Sequence, residues 1–499
     1  MRTDKCDVLV VGLGPIGDVL TGLLQVHGLK VIAIDKEPDI YPLPRAAVFD
    51  EEIMRIFQMI GASEPILPLC RVPPGYEFRT AKGEVLLGFD VRQGNGPMGW
   101  AQTYALHQPG VERVLRDRLT ALGADMRLST ALLGFAEDAD GVTARVEEPD
   151  GAYDIRANYL VGCDGASSRV REIIGTGMFD YGFEEPWLVI DAVVKNGEDL
   201  PQIALQICDP VQPTTFLRMS GERYRWEFML KPGDDPERFA GDENLERLLA
   251  PWNVLDRIEI ERRAIYRFHG LVAKDWRRGR ILLAGDAAHQ MPPFAGQGMC
   301  SGVRDSANLA WKLAAVVQGE AGDPLLDTYQ IEREPHVRVI IETSIAFGRT
   351  VCVLDPAAAA ARDAGMIAAR ASGERPAMIA YPPLRGGCFL DDGAAGSLFI
   401  QPIVDGERLD ERLGAGAWLI SRSATSVTTP GLTFILIESL DGFATPLSEW
   451  LDAQEAEAVL VRPDRHVFGV GVTPDLIMHW RAKLDPNPEL RTAAGDQPA

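Results

Sequence analysis

Gly285-Asp286-Ala287-Ala288-His289-Gln290-Met291-Pro292-Pro293-Phe294-Ala295-Gly296-Gln297-Gly298-Met299 decides how this chain is read. It follows the apolar run Arg280-Ile281-Leu282-Leu283-Ala284, whose composition predicts a short buried strand. An acid just past the end of a strand is placed to accept hydrogen bonds from a polyol. The Pro292-Pro293 pair makes a stiff turn that lacks free amides. Gly296-Gln297-Gly298 then exposes backbone amides where a helix begins, a place suited to an anionic or carbonyl-bearing ring. The chain also opens with a nucleotide-type loop. Two such elements, far apart in sequence, imply one long cofactor threaded between them.

The opening loop is Gly12-x-Gly14-x-x-Gly17. It follows the strand-like Cys6–Val11 and opens a helix that runs to Leu29. Val31–Ile34 makes a second strand that ends at Asp35. In such a βαβ unit, Gly12 permits the tight turn, Gly14 lets a pyrophosphate approach, and Gly17 lets helix pack on strand. Pro15 starts the helix, and Asp35 with its neighbour Lys36 stands where ribose hydroxyls would lie. The loop alone does not choose between NAD and FAD. Asp18, early in the helix, suits the helix dipole but crowds a phosphate. A third turn, Cys163-Asp164-Gly165, ends another strand and would be only a turn if it stood alone.

The totals set limits. The chain has 499 residues, 46% hydrophobic and 24% charged, as in soluble globular proteins of two or three domains. The formal net charge of -22 argues against nucleic acid and anionic membrane surfaces as partners. The seven cysteines include no CxxC pair and read as free thiols, giving a cytoplasmic expectation. No signal peptide and no bilayer-spanning run is legible. HExxH, paired Cys/His spacing and GxSxG are all missing, so metal and hydrolase readings have no motif behind them.

The order fingerprint, Asp-Gly turn, Gly-Asp turn resembles the class A flavoprotein aromatic hydroxylases, the para-hydroxybenzoate and phenol hydroxylase group, over roughly residues 5–350. Tyr41-Pro42-Leu43-Pro44-Arg45-Ala46, Cys208-Asp209-Pro210-Val211-Gln212-Pro213, Trp226-Glu227-Phe228-Met229, Leu325-Leu326-Asp327-Thr328-Tyr329 and Val461-Arg462-Pro463-Asp464 narrow it to the 3-(3-hydroxyphenyl)propionate hydroxylase family. The resemblance implies an α/β fold with these parts: a discontinuous Rossmann-like FAD-binding domain (1–178 and 268–355), an inserted antiparallel-sheet substrate domain (179–267), a helical linker (356–385), a thioredoxin-like C-terminal domain without CxxC (386–485) and a flexible tail (486–499). It implies bound FAD, transient NADH or NADPH, O₂, a small phenolic substrate and a homodimer.

Residue by residue, the resemblance places Gly12, Gly14 and Gly17 at the pyrophosphate and Asp35 at the adenosine ribose, with a shorter reach than the Glu more usual there. Arg45 would lie beside the pyrophosphate and ribityl chain. Gln108, opening a helix after Leu106-His107, would contact the flavin side, and Asp286, after Gly285, the ribityl hydroxyls. Pro293 would sit at the reactive edge of the flavin, with Gly296, Gln297, Gly298 and Met299 over its pyrimidine end. Cys300 departs from the family's Asn. Asp164 and Arg171 match the acid and trailing Arg associated with FAD and reduced nicotinamide.

The implied activity is hydroxylation of a phenolic acid such as 3-(3-hydroxyphenyl)propionate through a flavin C4a-hydroperoxide. The alternatives are another phenol or a polyketide, a flavin-dependent reductase or dehydrogenase without oxygen insertion, and a non-catalytic FAD-binding partner. Arg45, Pro293 and His107 are the catalytic candidates. Tyr224 and Arg225 are candidate substrate ligands, set against the plainer reading of solvent-facing strand residues. His289 reads as a structural hydrogen-bonder rather than a proton relay, and Trp226 and Phe228 as core.

Overall fold

The computed structural model describes residues 2–374, 381–391, 393–425, 427 and 429–485. The expected tail, 486–499, and part of the expected linker lie outside the described residues; the linker's helix spans Pro356–Ala371.

Val8 to Val11 and Val31 to Ile34 are buried throughout, as strands covered on both faces must be. Thr3–Val11 pairs in parallel with Val31–Ile34 on one side and with Gly151–Gly162 on the other, and Gly151–Gly162 pairs in parallel with Ile281–Leu283. The strand order across this sheet is Arg277–Arg278, Ile281–Leu283, Gly151–Gly162, Thr3–Val11, Val31–Ile34, Asp125–Arg127. Because the central strands are parallel, their carboxyl ends deliver Gly12, Asp35, Cys163-Asp164 and Gly285-Asp286 to one edge, where open parallel sheets bind ligands. Helices Pro15–Val26 and Gly298–Val317 pack together beneath that edge.

The second sheet runs in the order His289–Gln290, Ile258–Ala273, Met178–Val194, Arg223–Met229, Thr214–Arg218, Ala204–Cys208, Gly75–Thr80, Val85–Asp90. It therefore draws strands from both sides of the expected insertion, 179–267. The boundary set at 179 and 267 is corrected: Gly75–Thr80 pairs in parallel with Ala204–Cys208, a long-range pairing that local alternation does not reveal. One face of the sheet holds Phe216, Tyr224, Trp226 and Phe228 in an apolar core with Leu245, Leu248 and Leu249. The other face is turned to the parallel sheet's carboxyl edge.

Beyond Gly386, Ala417–Ser421 pairs in parallel with Leu432–Leu436 and antiparallel with Ala458–Val461, which pairs antiparallel with Val467–Gly471. This small sheet is locked to the first one through buried charges. Lys312 Nζ lies 2.8 Å from Glu332 Oε2, Arg462 Nη2 lies 3.0 Å from the same oxygen, and Arg462 also pairs with Asp464. Arg55 and Arg465 converge on Asp410 at 2.7 and 3.0 Å. The seven cysteines form no disulfide. Among the described residues, no helix is long and apolar enough to cross a membrane.

Candidate functional site

The fingerprint loop is shaped by contacts that only glycine permits. Gly12 has φ +100°, and a Cβ there would lie 2.5 Å from the Cys163 carbonyl oxygen. At Gly17 a Cβ would stand 1.9 Å from the Gly12 carbonyl oxygen, so this glycine sets the helix against the strand. Gly14 differs: a Cβ there would meet nothing within 4 Å. The helix after it begins at Pro15, and no side chain caps it. An open space in front of uncapped amides fits a pyrophosphate.

Asp18 does not face that space. It is fully buried, and Arg116 Nε donates to its Oδ1 at 2.7 Å while Arg116 Nη2 reaches the Leu13 carbonyl. The acid thus locks the loop from behind to the helix Gln108–Ala121, and no phosphate is crowded. Burial holds its carboxyl above the usual range, against the pull of Arg116. Asp35 accepts from the amides of Leu13 at 2.7 Å and Glu37 at 2.9 Å, so it shapes the loop; Lys36 is exposed beside it.

The three motifs meet. Arg171 Nη1 donates to the Ala287 carbonyl at 2.9 Å and Nη2 to the Ala166 carbonyl at 2.6 Å, which joins the Asp-Gly turn to the Gly-Asp turn. Asp164 is spent on that turn, accepting from Ser168 Oγ at 2.5 Å and from the Val170 amide at 3.0 Å. Gly285 packs on Ile16. Asp286 is half-buried in this junction. Desolvation raises its carboxyl above the ordinary aspartate range, with His289, Arg45 and Arg171 pulling the other way. A desolvated carboxylate at the head of the fingerprint helix fits hydroxyl donors from a polyol chain. Asp286→Ala should weaken FAD binding by roughly 10- to 100-fold, the value of one or two charge-assisted hydrogen bonds. Fluorescence titration of the apoprotein with FAD reads it, and an unchanged affinity would contradict the placement.

His289 is structural: its Nε2 lies 2.6 Å from Asp305 Oδ2, and Asp305 Oδ1 is held by Arg333 Nε at 2.9 Å. Past the Pro292-Pro293 turn, Gly296 adopts φ +66° and the helix Gly298–Val317 opens with no side-chain cap on its first amides. Gln297 is turned away, its Oε1 accepting from Arg304 Nη1 at 2.8 Å. Arg304 also binds Asp50 Oδ2 and Glu52 Oε2, each at 2.5 Å. The free amides at Gly298 and Met299 fit a ring that gains negative charge at its pyrimidine end.

The segment Pro44-Arg45-Ala46 crosses the site as a strap gripped from both sides. Gln108 Oε1 accepts from the amides of Arg45 at 2.9 Å and Ala46 at 2.6 Å, and its Nε2 donates to Glu112. The strap engages the Gln108 Oε1 and Glu112 one of its N–H donors, so the expected flavin contact of Gln108 would fall to the remaining N–H. On the far side, Arg225 Nη1 and Nη2 donate to the carbonyls of Arg45 and Pro44, each at 2.7 Å, and Arg262 also reaches the Pro44 carbonyl. Both arginines share Asp191, with Arg225 Nε at 2.6 Å. Arg225 is therefore neither solvent-facing nor a free substrate ligand; a guanidinium already saturated by Asp191 and two carbonyls has little left to offer. Tyr224 is corrected too. Alternation puts it on the opposite face, where its hydroxyl donates to the Gly197 carbonyl at 2.8 Å inside the core. His107 caps no amide and is half-buried at the start of its helix, between the strap and the second sheet; desolvation lowers its imidazole pKa, reinforced by Arg223.

Three arrangements were not read from the sequence: the Arg304–Asp50–Glu52 cluster, the Arg225–Asp191–Arg262 clamp, and a polar row of Tyr76, Gln206, Thr215 and Glu227 on the inner sheet face. Strict alternation in Arg223–Met229 was the available signal for the last two, because it separates Arg225 and Glu227 from Tyr224, Trp226 and Phe228.

The family described as FAD binding domain matches residues 5–344. The chain is 39% identical over 495 residues to a probable NADH-specific resorcinol 4-hydroxylase of Rhodococcus jostii, covering 93% of this chain and 92% of that protein. It is 32% identical over 532 residues to a 3-(3-hydroxy-phenyl)propionate/3-hydroxycinnamic acid hydroxylase of Mycobacterium avium, covering 94% and 90%. The solved structure of aklavinone-11 hydroxylase with FAD and aklavinone is similar at a TM-score of 0.80 and 25% identity, covering 97% of this chain and 100% of that one. The rebeccamycin enzyme RebC shares the fold at a TM-score of 0.80 and 21% identity, over 97% of this chain and 99% of that one.

Proposed function

The chain belongs to the FAD-binding family of aromatic hydroxylases, and from that premise we propose that it hydroxylates a single-ring phenol ortho or para to its hydroxyl, consuming NADH or NADPH and O₂. Bound FAD would supply hydride acceptance from the nicotinamide and the activation of O₂ for transfer of one oxygen atom to the ring. Everything else falls to this chain's side chains and backbone. The Gly14 opening and the uncapped helix Pro15–Val26 would receive the pyrophosphate. Asp286 would hold the ribityl chain, the first amides of Gly298–Val317 would stabilise charge at the pyrimidine end, and the Pro292-Pro293 turn would border the reacting edge. The strap, fastened by Gln108, Arg225 and Arg262, would shield the site from solvent.

The carrying observation is the convergence of the three motifs on one edge, facing the inner side of the second sheet. Two observations favour an uncharged phenol, such as a dihydroxybenzene, over the arylpropionate. Of the inward cations, Arg225 is committed to Asp191 and to strap carbonyls and Arg262 spends its Nη1 on the Pro44 carbonyl and Asp191, while Glu227 contributes a carboxyl to the same face. The relative with 39% identity is also named for resorcinol. 3-(3-Hydroxyphenyl)propionate is the second reading and needs a cation for its carboxylate. The strand order and directions at residues 417–471 support a thioredoxin-like C-terminal domain, whose role here is packing.

NADH oxidation by the FAD-loaded enzyme should be stimulated at least tenfold by resorcinol and less by 3-(3-hydroxyphenyl)propionate. Stimulation by the propionate alone would reverse the substrate order. No stimulation across a phenol panel would remove the hydroxylase reading and favour a reductase.

A further inference from the structure

The inner face of the second sheet carries polar groups that none of the cofactor contacts use. Along Arg223–Met229 the inward residues are Arg225, Glu227 and Met229; Glu227 stands opposite Thr215, and Thr215 opposite Gln206. At one end of this row, Arg225 and Arg262 hold the strap. At the other, Tyr76 donates its hydroxyl to the Phe294 carbonyl at 2.9 Å, and the Trp187 and Phe268 rings stand edge-on to Phe294 at 5.5 and 6.1 Å. Glu227 thus lies between the strap and the Pro293-Phe294 turn, the two segments that border the reacting ring. It is not sealed: Glu227 keeps 5% and Thr215 6% of their surface, whereas Trp226 and Phe216 on the other face keep 0%.

Resting on the hydroxylase reading above, we propose that Glu227 is the base that takes the proton of the substrate phenol, and that Thr215, Gln206 and Tyr76 hold it in place. The phenol O–H bond breaks, a carboxyl O–H bond forms on Glu227, and the substrate becomes the phenolate that attacks oxygen. Glu227 returns its proton to the ring oxygen while the hydrogen on the newly oxygenated carbon leaves to solvent as the ring regains aromaticity; the oxygen atom comes from O₂ and the electrons from the nicotinamide, so the step needs no further oxidant or reductant.

The hydrogen bonds run in one direction and explain why this carboxylate is poised to accept. Tyr76 gives its proton to Phe294 and accepts from the Gln206 carboxamide. Gln206 Oε1 accepts from the Thr215 hydroxyl at 2.8 Å. Glu227 stands opposite Thr215, and Arg225 Nη1 comes no nearer than 3.8 Å, so no guanidinium closes on its carboxylate. A phenol O–H supplies the missing donor. The charged groups facing Glu227 are Arg225 on its own strand, Asp191 on Met178–Val194 and Arg262 on Ile258–Ala273, with Tyr76 the titratable group on Gly75–Thr80. Burial raises the Glu227 carboxyl first of all, and Arg225 opposes it, so the base is stronger than an exposed glutamate.

The test is Glu227→Gln in the FAD-loaded enzyme, read in two ways. Ultraviolet difference spectra of the bound phenol should show a phenolate band in the wild type and none in E227Q at the same pH. The kcat for product formation should fall about 100-fold or more, a typical loss for a general base. That deficit should shrink with fluorinated phenols of lower pKa, and Glu227→Asp should restore part of it. A phenolate band retained in E227Q, or an equal loss for phenols of every acidity, would overturn the proposal. If E227Q fails to fold, the wild type alone decides: the band should titrate well below the free phenol's own pKa, and a band that appears only at that pKa overturns the assignment. A wild type that holds FAD but binds no phenol removes the hydroxylase reading and this base together. A hydroxylating wild type matched by E227Q removes the base alone.

Discussion

Gly17→Ala should abolish FAD binding by breaking the fold around it, whereas Gly14→Ala should abolish FAD binding and leave the fold intact. At position 17 the added methyl would sit 1.9 Å from the Gly12 carbonyl oxygen and 3.5 Å from Cys163 Cβ. No rotamer relieves a contact with backbone, so the helix Pro15–Val26 must move off the sheet. Overpacking ordinarily costs about 1–3 kcal/mol, and a backbone clash belongs at or above the top of that range. At position 14 the methyl meets no protein atom within 4 Å. It occupies the space through which the pyrophosphate would approach, so the loss appears only in the cofactor. Thermal melts of both apoproteins, followed by FAD titration, separate the two effects. A stable G17A protein that binds FAD, or a G14A protein with wild-type affinity, would contradict the site as drawn.

Arg304→Met should be the most destabilising single substitution of a charged side chain near the site. The guanidinium is buried between Asp50, Glu52 and Gln297, under the Tyr381 ring at 4.7 Å. Methionine keeps the volume but leaves two carboxylates in the interior without their cation. Breaking a buried pair costs about 3–5 kcal/mol, and two partners are lost here. Asp50 also accepts from the Ile53 amide and so starts the helix Glu51–Met59, while Gln297 precedes the uncapped amides that open the helix Gly298–Val317. Flavin retention should therefore fall along with stability. Neutralising the cluster as a set, D50N/E52Q/R304M, should recover much of the stability but not the placement of Gln297. Urea titrations of the single and triple variants read both terms. A single variant within 1 kcal/mol of wild type would show that the cluster is not holding the Gly298 helix.

What the sequence disclosed and what it hid divide along physical lines. The parallel sheet was legible because doubly covered strands read as apolar runs, and because Gly12, Gly17 and Gly285 occupy backbone positions that few other residues can take. Asp286 stood out as an acid just past a buried strand, the position Asp35 and Asp164 also take but spend on the backbone and side chains of their own turns. Asp18 could not be assigned from sequence because its partner, Arg116, comes from a helix almost a hundred residues away. Arg225 was assigned to a ligand although Asp191 and the strap satisfy it, and the strap carries no side-chain signature since it offers only carbonyls and amides; the same strap engages Gln108 through its Oε1. The second sheet's extent was hidden for a related reason: Gly75–Thr80 finds its neighbour through a pairing across more than a hundred residues. The buried charges of the Gly298–Val317 helix stood in the sequence as Arg304-Asp305 and Lys312, but only packing reveals that they face inward.

The most direct measurement is hydroxylation under ¹⁸O₂ by the FAD-loaded enzyme, with NADH and resorcinol, and mass analysis of the product. The account predicts one labelled oxygen atom in the aromatic product, with one O₂ consumed per NADH when coupling is complete. An oxidised nicotinamide with no label in the ring, or a labelled oxygen only in peroxide, would contradict the central claim that this chain inserts oxygen into a phenol.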